Sequence, residues 1–210
     1  MALNNVSYPL RFTVDYPAGG ISRLTTFFRL LLVIPVAIVL GLLGSLAPDQ
    51  MGEGRIGFDG TPVLVFLPAL LMILFRRKYP RWWFDWNVAL LRFTARINAY
   101  VFLLQHAYPS TDEEQAVHLD VDYPDVPHDL SRWMPLVKWL LALPHYIALI
   151  FLGIAALVVT VFAWFAILLT ANYPRGLFDF VVGVERWGLR VIAYAFLLVT
   201  DRYPPFSLRP

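Results

Sequence analysis

Apolar and polar positions along this chain follow two different periods, and each pattern occurs twice. Over residues 6–17 (VSYPLRFTVDYP), Leu10, Phe12, Val14 and Tyr16 alternate with Arg11, Thr13 and Asp15. A period of two marks a half-buried strand, closed here by Pro17 and the Gly19-Gly20 turn. Residues 116–124 (AVHLDVDYP) repeat it, with Val117, Leu119, Val121 and Tyr123 on one side. A lone strand leaves its backbone groups unpaired, so the two are expected to pair in a small sheet outside the lipid.

The second pattern is helical. Residues 79–104 read YPRWWFDWNVALLRFTARINAYVFLL and residues 173–198 read YPRGLFDFVVGVERWGLRVIAYAFLL, in register at an offset of 94. Tyr79-Pro80-Arg81 falls on Tyr173-Pro174-Arg175, Asp85 on Asp179, Arg92 on Arg186 and Arg96 on Arg190. A self-match of this length divides the chain into two copies of one unit, residues 1–109 and 110–210.

Each unit also holds apolar runs. In the first, Phe27 to Leu46 contains Pro35 and an early Arg29; a polar loop at 47–61 and a shorter run, Pro62–Phe75, follow. Twenty residues span about 30 Å as a helix. Ser22 and Ser131 stand where N-caps belong, and Arg29 and its counterpart Lys138 are expected to snorkel to the interface. The second unit has one run from Trp139 to Thr170 without a loop. A single helix of that length, roughly 50 Å, exceeds the hydrocarbon thickness. Pro35 and Pro144 lie 109 apart, and the drop from 109 to 94 matches the length of the loop 47–61. The second unit is therefore expected to lack the loop and to turn tightly near Gly153–Ala156.

The fold expected is a mainly α membrane protein of two tandem repeats, each a short strand, a two-helix transmembrane hairpin and a long amphipathic interfacial helix. Composition agrees: 59% of residues are hydrophobic and 15% charged, against roughly 45–50% and about 25% in soluble domains. The repeated arginines argue that both units share one orientation, because Lys/Arg excess marks the cytoplasmic side. Each unit then crosses an even number of times. That gives four spans in the cell inner membrane, both termini cytoplasmic, with helices 82–105 and 177–200 on the cytoplasmic face. Arg76, Arg77, Lys78, Arg81 and Arg175 form the cytoplasmic basic anchor. No signal peptide is recognised at the start.

Candidate chemistry is sparse. On a helix Asp85, Arg92 and Arg96 fall at about 0°, 340° and 20°, one narrow face, and Asp179, Arg186 and Arg190 reproduce it. Such a face suits water, the neighbouring strand, or anionic lipid and partner contact. His145 lies inside an apolar run and falls on Val36, so it lies outside the shared pattern. His118, Asp120 and Asp122 share a strand face, but their counterparts Arg11, Thr13 and Asp15 favour an ordinary polar surface over a metal site. Residues 52–57 (GEGRIG) match a nucleotide-loop pattern by chance, without the strand and helix that pattern requires. The absence of cysteine excludes disulfide and thiolate chemistry.

The paired series VDYP, SR before a Pro-containing run, YPRxxFDxxVxxxR and AYxFLL resembles a bacterial membrane family catalogued as domain of unknown function 4389, in tandem form. The resemblance implies no activity. The expected role is therefore non-catalytic: an accessory subunit or lipid-interacting scaffold, without cofactor, metal or nucleic acid. Its expected partners are membrane lipids, anionic ones included, and a membrane protein or second copy of the chain. A small transporter or channel is the alternative, because internal repeats are common in such folds. A membrane enzyme ranks third, since no acid, base and nucleophile set is recognisable.

Overall fold

Strands β1 (Leu10–Val14) and β2 (Val117–Val121) pair antiparallel, with Phe12 opposite Leu119, as the alternating pattern predicts. The computed structural model describes residues 8–17, 19–29, 32, 34, 35, 61–110 and 113–210, the side chains of 61–65 excepted. Leu10, Phe12, Val117 and Leu119 point into the core, while Arg11, His118 and Asp120 face out.

The remaining described elements are helical. A helix α1 covers residues 23–29, and α2 (Thr61–Leu71) passes into a π-helical turn, Met72–Arg76. The helix α3 (Arg81–Val101) precedes β2, and a short α4 (Val126–Asp129) follows it. Then come α5 (Met134–Leu141), α6 (Leu143–Thr170) and α7 (Arg175–Ala195). Local chemistry sets the ends. Arg77 and Ala171 adopt left-handed backbone where the apolar helices stop, and Pro80 and Pro174, extended, cap α3 and α7. Proline fits there because a helix's first N–H groups have no internal partner.

The two halves complete each other crosswise. The first-half strand β1 packs on α7, and the second-half strand β2 packs on α3. Tyr16 donates its hydroxyl to the Tyr173 carbonyl, and Tyr123 donates to the Tyr79 carbonyl. Phe178 meets Tyr16 edge-on at 5.1 Å, and Phe84 meets Tyr123 at 5.0 Å. The guanidiniums of Arg175 and Arg81 stand over those same tyrosines, at 4.5 and 4.8 Å. The apolar segments are cross-tied as well: Arg23 donates to the Leu169 carbonyl and Arg132 to that of Leu74.

Three expectations are corrected. No hairpin forms at Gly153–Ala156, because α6 runs unbroken from Leu143 to Thr170. Gly153 meets no neighbouring atom within 4 Å, and one glycine costs a helix about 1 kcal/mol, too little to open a turn whose residues are otherwise helix formers. The break comes earlier, at Ala142, where Pro144 cannot donate to the preceding turn. Second, Ser131 caps no helix: its N–H goes to the Asp201 carboxylate, and α5 starts at Met134. Third, Arg29 and Lys138 do not snorkel; both are buried. The first apolar run, 27–46, and the loop 47–61 lie largely outside the described residues.

Candidate functional site

The stripe of repeated acids and arginines is where the sequence places its candidate site, and the halves use it in parallel. Arg92 Nε donates to the Leu119 carbonyl of β2 at 2.8 Å, and Arg186 Nε donates to the Phe12 carbonyl of β1 at 2.9 Å. These two residues face each other in the strand register. One turn on, Arg96 donates to the Ser110 carbonyl and Arg190 to the Arg209 carbonyl. Each arginine pair thus ties a helix to one strand and to the chain that leaves the helix. Asp85 and Asp179 remain exposed. The stripe's guanidiniums therefore serve backbone carbonyls, those of Arg92 and Arg186 on the neighbouring strands.

The two copies differ in depth. Arg186 and Arg190 are 8% and 5% exposed, whereas Arg92 is exposed and stands 3.6 Å from Asp120. Burial, with the neighbouring charge of Arg190, lowers the Arg186 pKa from its ordinary value. The covering chain is the C-terminal segment after α7. Arg186 Nη1 also donates to the Leu208 carbonyl at 2.9 Å. Gly183 leaves room for this strap: a Cβ there would stand 2.8 Å from the Leu208 Cβ and 2.9 Å from its carbonyl oxygen. Gly183→Val should cost about 1–3 kcal/mol through overpacking. It should also make the C-terminal segment cleavable under limited proteolysis that spares it in the parent; an unchanged cleavage pattern would show that Gly183 is not needed there.

Two buried cations form a second matched pair. Arg29 Nη1 donates to the Tyr100 carbonyl at 3.2 Å, and the guanidinium lies 4.5 Å over that ring. Lys138, 0% exposed, donates to the Thr200 carbonyl and pairs with Asp201, both at 2.7 Å, with Tyr194 at 5.3 Å. Arg29 sits at the carbonyl end of α3, where helix dipole and aromatic ring favour positive charge, and Lys138 stands beside Tyr194 in the last turn of α7.

Polar groups that sequence patterning missed lie between the halves. Asn98 Nδ2 donates to Glu185 Oε2 at 3.0 Å, and burial pushes the Glu185 carboxyl up to about 6. Glu185 falls on Leu91 and Asn98 on Ile192, apolar positions in the other copy, so repeat alignment gave no warning that the two would meet. His145 is buried: Trp187 Nε1 donates to its Nδ1 at 3.1 Å and Phe206 stacks on it at 4.0 Å. The imidazole is thereby held with its proton on Nε2, packed between α7 and the terminal strap. His118 pairs with Asp15, Asp122 with Arg11 and Asp120 with Arg92. The strand face set aside as a metal candidate is thus tied up in two Asp–Arg ion pairs and a His118–Asp15 hydrogen bond.

The basic anchor residues Arg76, Arg77, Lys78, Arg81 and Arg175 are all exposed. Close to the first four in sequence are the exposed rings of Phe75, Trp82 and Trp86, with Trp83 stacked on Trp86 at 5.1 Å. The segment Met134–Thr170 is long and apolar enough to cross a membrane. Its outward stripe of Ile147, Ile150, Phe151, Ile154, Leu157, Val158, Val161, Phe162, Phe165 and Leu169 is exposed, Phe151 and Leu169 by 69% and 77%.

Residues 132–207 match the family model described as Domain of unknown function (DUF4389), a stretch that takes in α5, α6, α7 and most of the terminal strap. No curated protein and no solved structure matches the chain.

Proposed function

We propose that this chain is a non-catalytic integral protein of a cell's inner membrane, acting as a lipid-interacting scaffold. The observation that carries the reading is the outward stripe of α6: ten large apolar side chains, all exposed, without a polar one among them. Monomeric soluble proteins rarely expose contiguous apolar patches beyond a few hundred Å². Exposed aromatic rings among the cations where α2 gives way to α3 supply the belt found at membrane–water interfaces. The charged residues of α3 and α7 support a scaffold: their arginines bind backbone and hold the halves together. Extraction tests the membrane reading. After expression, the protein should stay in the membrane pellet through alkaline carbonate washing and enter solution only with detergent. Release by carbonate alone would refute integral insertion.

A further inference from the structure

We infer that α6 does not cross the bilayer but lies along it, its stripe sunk into one leaflet; this rests on the membrane reading above. The argument begins with length. From His145 to Thr170, α6 covers about 38 Å at 1.5 Å per residue. His145 touches Trp187, and four residues, 171–174, join the two helices. From Arg175 to Trp187 is about 18 Å of helix, and such a connection reaches at most about 18 Å. These lengths close only if α7 runs back alongside α6. Ala142, packed with Trp187, Val191, Tyr194 and Ala195, agrees. The strand β1 in turn follows α7: Tyr8 meets Arg190, Phe12 meets Arg186 and Tyr16 meets Phe178.

The direction of α6 therefore sets the depth of everything packed on it. Standing upright, it would carry the outer face of the sheet to hydrocarbon depth. That face bears the Arg11–Asp122 pair, its side chains 51% and 53% exposed, and the Asp15–His118 pair. Exposed charges at the bilayer centre cost several kcal/mol each by insertion scales, about 2.5–3.5, and a two-stranded sheet leaves open edges that lipid cannot satisfy. Lying flat, α6 offers its apolar stripe to acyl chains while the sheet faces water. Its length of about 42 Å, poorly matched to a core of about 30 Å, then creates no mismatch. The exposed cations Arg132, ahead of α5, and Arg23, which donates to the Leu169 carbonyl at the end of α6, then meet head groups of the same leaflet.

The natural absence of cysteine allows a direct test. Ser131→Cys and Asn172→Cys mark the ends of the segment and Ile154→Cys marks the middle of the stripe. Each variant is labelled with a membrane-impermeant maleimide in sealed vesicles of both orientations. The expected result is that the thiols at positions 131 and 172 react from the same side and the thiol at position 154 reacts from neither. Ends reacting from opposite sides would show a crossing helix. A middle reacting from the side opposite the ends would show a hairpin. Either outcome overturns the proposal while leaving the membrane reading standing. Equal reaction of all three from one side would overturn both.

Discussion

Lys138→Ala is expected to be the most destabilising single substitution among the described charged residues, by about 3–5 kcal/mol. The ammonium is fully buried and holds the Thr200 carbonyl and the Asp201 carboxylate at 2.7 Å. Removing it leaves the Asp201 charge unpaired, and that carboxylate also anchors the Ser131 N–H ahead of α5. For a chain of this size the loss corresponds to a Tm lower by roughly 10 °C, measured by thermal unfolding in mild detergent. A companion double variant, Lys138→Met with Asp201→Asn, removes both charges while keeping apolar volume. It should recover most of the loss, because exchanging a buried pair for packed neutral side chains is often near neutral. A change below about 1 kcal/mol in Lys138→Ala would mean that the pair does not secure the junction of α5 with the strap.

The second large effect compares two equivalent arginines. Arg186→Leu should cost about 2–4 kcal/mol, since the Phe12 and Leu208 carbonyls both lose a charged donor in a buried setting. Arg92→Leu removes the same bond to β2, but from an exposed position with a loose ion pair to Asp120. Its expected cost is about 1 kcal/mol. The comparison holds residue type, helix face and strand contact constant and varies the cover of the strap, with its burial and its Leu208 bond. Equal losses from the two variants would show that the carbonyl bond alone, and not the strap over α7, sets the energetics.

These variants rest on features that the sequence reveals unevenly. The strand pairing is legible because a period of two with matching VDYP ends leaves few registers that bury Leu10, Phe12, Val117 and Leu119 together. The helices α3 and α7 are legible from their YPR starts. What repetition cannot show is which copy of a strand meets which copy of a helix, because both assignments satisfy the same pattern; here the pairing is crosswise. The hairpin expectation fails for a related reason. An offset change locates an inserted loop in the first half, yet says nothing about whether the uninterrupted half bends, and Gly153 alone does not bend α6. The snorkelling expectation fails because burial of Arg29 and Lys138 depends on distant tyrosines, Tyr100 and Tyr194, which no local window couples to them. Among the candidate site residues, spacing correctly puts Asp85, Arg92 and Arg96 on one face. It cannot show that strand carbonyls claim the guanidiniums.

The crosswise packing has a consequence for inheritance and damage alike. The stretch matched by the family model, 132–207, contains α7 but neither strand, and the strand lying on α7 comes from the opposite end of the polypeptide. A lesion in residues 10–14 is therefore felt first by residues 178–190, and one in 117–121 by the middle of α3. Among the described residues neither half-sequence encloses its own interior, so the boundary between the halves in sequence is not a boundary in space.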